Sequence, residues 1–344
     1  LLIAKTADEA DYLMGSYILA KPERIWSRLA VEKIIRTHVL ATVASGFAHT
    51  ENGIYEFFAK TFYAHQYDVK AIKSIIAKIL RYLYDEEMLE VFGNEIYATK
   101  FGKRVSELYI DPASAVVIRD ALSRKPECLT EFSLLHLIAH TPDMEPVMRP
   151  HAREVDEMAV LMEEHREELF VPPPTEWEDR IAYEEFLGEI KTAVVLQSWI
   201  DEVSEEALLD RFGVQPGDLY KVIENAKWLL YAVHELGRLL GRAAVLPLTA
   251  ELIERVAKGV KKELLPIVKL EGVGRVRGRV LYNAGYKTLE DIKHAPLEEL
   301  TNLPLIGPRL AKKIKEQVGG FVKKEAWEKL EKTAEWRQKS LADF

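Results

Sequence analysis

The chain has 344 residues, 48% of them hydrophobic and 30% charged, which describes a folded polypeptide with room for two or three domains and excludes a disordered or collagen-like one. No apolar run reaches the roughly 18 residues needed to span a bilayer, and the lone Cys128 excludes an internal disulfide or a thiolate zinc cluster. The net charge of −8 is unevenly spread, with 20 Lys+Arg against 12 Asp+Glu from Arg255 to Phe344 and 27 against 43 before it. A basic C-terminal module on an acidic body makes phosphate a natural partner for the basic end. Abundant Glu and Lys with scarce Asn and Gln match a thermophile composition, and the single cysteine predicts an intracellular, cytoplasmic protein.

The opening "LLIAK" (1–5) reads as a short buried strand without a preceding partner, so the chain is expected to be the C-terminal part of something longer. Residues 6–24 form a helical linker. From 25 to 110 the pattern turns from helical to extended. "IWSRLAVEKIIRTHVLATVAS" (25–45) has helical apolar spacing, and "NGIYEFFAKTFYAH" (52–65) follows a break at Asn52-Gly53. In 68–89 Ile72, Ile75, Ile76, Ile79, Leu80 and Leu83 share one helix face. Gly93-Asn94, between β-favouring runs in 89–110, predicts a hairpin. Three helices and a hairpin are the order of a winged helix.

Residues 111–262 read as helical throughout, with breaks at Pro126, Pro142, Pro146, Pro150, Pro172–Pro174, Gly213–Gly217 and Pro247. The longest segment, 216–241, has Asp218 placed to cap it. Lys221 and Trp228 lie seven apart on one face, about 10 Å along the axis. That spacing suits a phosphate and a stacked base of single-stranded nucleic acid, or a core tryptophan beside a solvated lysine. Residues 263–344 hold two related units, 270–285 and 303–319, each helix–tight turn–helix, and a charged terminal helix.

"GVGRVRGRV" (272–280) resembles a nucleotide-binding glycine loop only superficially. The required strand is missing, since "LLPIVKL" is too short and polar, and the third glycine comes one position late. Leu270, Gly272, Val273, Gly274, Gly278 and Leu281 instead match a helix-hairpin-helix. Leu303, Ile306, Gly307, Ala311 and Ile314 repeat it, with Leu305 in the place of the first glycine. Such glycines let backbone N–H groups at a helix N-terminus approach a phosphate. Arg275, Arg277, Arg279, Arg309, Lys312 and Lys313 would add counter-charge without reading sequence.

Two motifs are decoys. "DEAD" at 8–11 lacks a directly preceding strand and any Gly-Lys-Ser/Thr loop, so it reads as a solvated helix start. His136 and His140 lack an evident third ligand and read as structural, so no metal is expected. The tail places Gln338, Leu341 and Phe344 at the spacing of a motif that docks into a partner's pocket.

Together these features resemble the C-terminal half of the archaeal Holliday-junction-migration helicases, superfamily 2 enzymes related to the helicase portion of polymerase theta. "GDLYKVIENAKWL" (217–229) resembles that family's ratchet helix, and "GRVRGR" (274–279) its arginine-rich hairpin. The resemblance implies a mainly α fold: the end of a second RecA-like domain and a linker (1–24), a winged helix (25–110), a helical ratchet domain (111–262) and a tandem helix-hairpin-helix domain with C-terminal helix and tail (263–344). It assigns Lys221 and Trp228 to the translocating strand, and the hairpin glycines and cations to DNA. It implies a parent ATP-dependent 3′–5′ helicase on stalled or branched forks, nucleoid-associated and serving DNA repair. The RecA-like motor would use ATP and magnesium, and a sliding clamp would meet the Gln338–Phe344 tail. No Walker motif lies in this chain, which should bind single-stranded and forked DNA without hydrolysing ATP. The other reading is a protein-interaction adaptor that recruits a clamp or repair partners.

Overall fold

The computed structural model describes residues 2–67, 69–124 and 128–321. It is mainly α-helical and divides into two compact units, 1–106 and 107–344.

The first unit opens with an extended segment and the helix Ala7–Leu13, capped by Thr6 and closed by a π-turn through Met14–Ile18. No residue of either element is buried, and "DEAD" lies in that exposed helix. The strand expected at 1–5 does not form over its described residues, 2–5. Leu2 and Ile3 are exposed, since a strand needs a neighbour to take up its backbone bonds and none of the described residues pairs with it.

The helical core of this unit comprises Glu32–Ala44, Glu51–Ala59 and Val69–Asp85. Ile72, Ile76, Ile79 and Leu83 are buried at i, i+4, i+7 and i+11, against Ile35, Val39, Ile54 and Phe58; Ile75 and Leu80 flank that stripe half-buried. Asn52-Gly53 does not break the chain. Thr50 accepts from Gly53 N–H at 3.1 Å, so the pair sits inside a capped first turn.

The strands Leu89–Phe92 and Glu95–Ala98 pair antiparallel, Leu89 opposite Ala98. Gly93 opens the two-residue loop at φ +64, the position type II′ hairpin turns reserve for glycine. Ile96 N–H reaches the His49 carbonyl at 2.6 Å and ties the wing to the helices. The extended run ends at Ala98, because Thr99 caps the helix Lys100–Leu108 by accepting from Gly102 N–H at 3.0 Å. Gly102 has no room for a side chain, its Cβ position being filled by the Met88 backbone.

The second unit is built around Pro216–Leu239, whose Val222, Ala226, Leu229, Leu230, Val233 and Leu236 are fully buried. It packs against Leu246–Lys258, Glu131–Ala139 and Pro112–Ser123, and Arg180–Ile200 closes over Glu131–Ala139. Asp218 is not the cap of the long helix. Gln215 holds that position and Pro216 starts the helix, so Asp218 contributes as an acid in the first turn. Pro247 likewise lies within the first turn of its helix and breaks nothing.

The hairpin domain has a core of its own, with Leu264, Ile267, Leu281, Ile292, Leu300, Ala311 and Ile314 at its centre. It nevertheless falls in the same compact unit as the bundle. Trp199 is the joint. Its indole N–H donates to the Val256 carbonyl at 2.8 Å, and the Arg275 guanidinium lies 4.2 Å from its ring centroid. Gly259, left-handed at φ +63, leaves the space that the indole fills, since a Cβ there would stand 2.5 Å from the ring. The charged terminal helix expected beyond the hairpins lies outside the described residues.

Candidate nucleic-acid interface

Both hairpins have the same local geometry. Gly272 (φ +85) and Leu305 (φ +63) occupy the left-handed position, two residues before the glycine that caps the next helix. A side chain at 272 would strike Leu310 Cδ1 at 2.6 Å, so glycine is needed there for space as well as for φ. Leu305 adopts the same turn at the steric cost a Cβ brings to positive φ. Gly274 and Gly307 are extended, with nothing within 4 Å of their Cβ positions, which leaves the backbone open on that side. Helices Arg275–Asn283 and Pro308–Gln317 then present their first-turn amides and positive dipole ends. Pro308 lacks an N–H, so the second cradle has one donor fewer. The segment "LLPIVKL" (264–270) starts at the end of a 3-10 turn at 262–264 and forms another at 267–269, which removes any nucleotide-loop strand.

The three arginines of "GRVRGR" are all engaged within the fold. Arg275 stacks on Trp199 and donates to the Val203 carbonyl at 3.2 Å; burial pulls its pKa down. Arg279 makes a two-pronged pair with Glu202, at 2.8 and 2.6 Å, and a third bond to Glu263 at 2.9 Å. Arg277 is exposed and spans the hairpins, donating to Leu305 O at 3.0 Å and Gly272 O at 2.9 Å. Two of these arginines therefore fasten the hairpin domain to the bundle, and the third fastens one hairpin to the other. In the second hairpin Arg309 is exposed with no partner among the described residues. Lys313 pairs with Glu271, and Lys312 lies 3.9 Å from Glu316.

On the long helix Lys221 is exposed with no ion-pair partner among the described residues. Trp228 is half-buried, its indole N–H donating to Leu108 O at 2.9 Å. The ring therefore keeps one edge in the fold and part of its surface in solvent. Tyr220 and Tyr231 on the same helix are more exposed, and the sequence reading passed over them. It also missed Trp199, Glu202 and Glu263, the partners of the arginines. For Trp199 and Glu202 no local signal exists, since they lie more than 70 residues from the arginines they hold.

His136 and His140 meet Glu189 of the neighbouring helix, at 3.6 and 2.7 Å. His136 is buried beside Phe186, and burial pushes its pKa down to about 3. No group of three or more His, Cys, Asp or Glu among the described residues is arranged to hold a metal ion. No helix among them is long and apolar enough to cross a membrane. Gln338, Leu341 and Phe344 lie outside the described residues.

Comparison with known proteins agrees with this geometry. The family described as archaeal helicase, domain 4, matches residues 132–259, and the SAM-like helix-hairpin-helix tandem matches 262–319. The chain is 37% identical over 324 residues to the ATP-dependent DNA helicase Hel308 of Methanocella arvoryzae, covering 93% of this chain and 43% of that protein. Identity is 35% to the Hel308 of Pyrococcus horikoshii and 36% to that of Pyrococcus abyssi, each match covering 94% of this chain and 45% of the relative. The chain thus spans less than half the length of these relatives. In sequence and in hairpin geometry it fits the C-terminal half of the archaeal Hel308-type DNA helicases.

Proposed function

We propose that this chain is the DNA-gripping portion of an ATP-dependent 3′–5′ DNA helicase that works on stalled or branched forks in the archaeal cytoplasm. The observation that carries the reading is the pair of matched hairpins, each placing a left-handed residue and an open capping glycine before a helix N-terminus. Two such cradles hold successive backbone phosphates without reading bases. Arg309, with Lys312 and Lys313 beside it, adds counter-charge, and Arg277 fixes the two cradles against each other. On the bundle Lys221 takes a phosphate and the solvent side of Trp228 a base. Arg275 and Arg279 support the grip from behind by holding the hairpin domain on the bundle. ATP and magnesium belong to RecA-like motor domains of the parent protein, since no Gly-Lys-Ser/Thr loop exists in these residues.

Fluorescence anisotropy with labelled single-stranded and forked DNA tests this directly. Affinity should fall steeply with salt, and Trp228→Ala should weaken single-strand binding by about 1–3 kcal/mol. An unchanged affinity for Trp228→Ala would return that ring to the fold alone. Clamp capture by the chain in the absence of any DNA affinity would favour the adaptor reading instead.

A further inference from the structure

Residues 152–189 hold 13 Asp+Glu against 3 Lys+Arg, a balance of −10 that exceeds the net charge of the entire chain. Within this stretch the helix Val155–Glu164 and the first turns of Arg180–Ile200 enclose a cleft of about 440 Å³. Its apolar lining comes from Val155, Ala159, Ile181 and Leu187. Asp156, Glu176 and Glu185 also line it and have no ion-pair partner among the described residues. Arg180 pairs with Glu184 at 2.9 Å and also feels the charge of Glu176, and Arg149 stands as the other cation of the lining. Tyr183 also lines the cleft, and burial and then the charges of Glu176, Glu163 and Asp156 raise its pKa. Close by in the chain Trp177 is 96% exposed and Ile181 72%.

Unpaired like charges repel one another, and a large apolar surface left in water is unfavourable. One class of partner relieves both. We propose that this cleft docks a basic protein segment in which lysine or arginine stands beside an apolar residue. The aliphatic stem of the cation lies along Val155 and Ala159, its charge meets Asp156, Glu176 and Glu185, and the apolar neighbour covers Ile181 and Trp177. Nucleic acid is repelled by the same charge, so this surface is separate from the proposed DNA grip.

The test is anisotropy of a fluorescein-labelled decapeptide of alternating lysine and leucine titrated with the full chain. Neutralising the cleft as Asp156→Asn/Glu176→Gln/Glu185→Gln should weaken binding about ten-fold, three exposed charge contacts at their usual strength. Trp177→Ala should weaken it at least about three-fold. The exposed control triple Glu205→Gln/Glu206→Gln/Asp210→Asn should leave it unchanged, and circular dichroism should show every variant folded. Equal losses from the two triples would overturn the proposal in favour of diffuse attraction. So would a lysine–serine peptide binding as tightly as the lysine–leucine one, or no binding at all.

Discussion

Arg279 gives the sharpest test of how the hairpin domain works. Its guanidinium makes three charge-assisted bonds, at 2.8, 2.6 and 2.9 Å, to Glu202 and Glu263. The side chains are 28, 14 and 38% exposed, respectively. Breaking a buried pair costs about 3–5 kcal/mol, whereas an exposed one is worth about 0.2–1. With Glu202 largely covered and Glu263 open to solvent, Arg279→Met should cost about 2 kcal/mol. At about 2–4 °C per kcal/mol for a unit of this size, Tm should drop by about 4–8 °C. Thermal and urea unfolding measure that loss, and single-strand DNA titrations across a salt series measure the contact count. Because the arginine is committed to the fold, the slope of log K against log salt should not change. The exposed Arg309→Met should do the opposite, lowering the slope by about 0.7 for one lost phosphate contact while leaving stability intact. Arg279 would instead be a DNA contact if Arg279→Met flattened the salt slope as much as Arg309→Met does and unfolded like the parent chain.

Further expectations follow from the same contacts. Burial alone would raise Glu202 and Glu263, but the bonds from Arg279 and, for Glu202, from Lys261 N–H at 3.0 Å outweigh it, so both carboxyls titrate below their ordinary range. Their stabilisation is complete above the unfolded value of about pH 4.3 and is lost as pH falls through the folded values. The stability gap between the parent chain and Arg279→Met should therefore narrow below about pH 4, as read by urea midpoints. His136 is held neutral down to about pH 3, so from about pH 6.5 to 3 the unfolded chain binds one more proton than the folded one. Stability should fall with acidification by up to about 1.4 kcal/mol per pH unit across that window, and His136→Leu should flatten this slope. Leu305→Gly relieves a left-handed leucine and should stabilise by about 0.5–1 kcal/mol. Gly272→Ala, at φ +85 and 2.6 Å from Leu310, should destabilise by about 1–3 kcal/mol.

Much of this protein was legible in local pattern. The apolar spacing of 69–85 located that helix because burial on one face repeats every 3.6 residues wherever the helix sits. Gly93-Asn94 marked the hairpin because a two-residue turn needs a residue that tolerates positive φ. The doubled glycine pattern located both hairpins, even where Leu305 replaces glycine, because the capping glycine and the apolar spacing survive the substitution. "LLIAK" misled because strand formation depends on a neighbour that lies outside its own residues. The extended reading of 99–110 overlooked Thr99 as a helix cap.

Composition and spacing determined by themselves that the chain is mainly helical, that its basic end carries tandem hairpins, and that Lys221 and Trp228 share a helix face. Only the tertiary structure decided what the arginines do. Charge is visible in a sequence, but whether a cation meets solvent or a carboxylate depends on elements that approach from far along the chain. Trp199 and Glu202 sit on the bundle, 76 and 77 positions before Arg275 and Arg279, and no window of local sequence contains both halves of either contact. Arg309 differs because, among the described residues, the fold brings no acid to it.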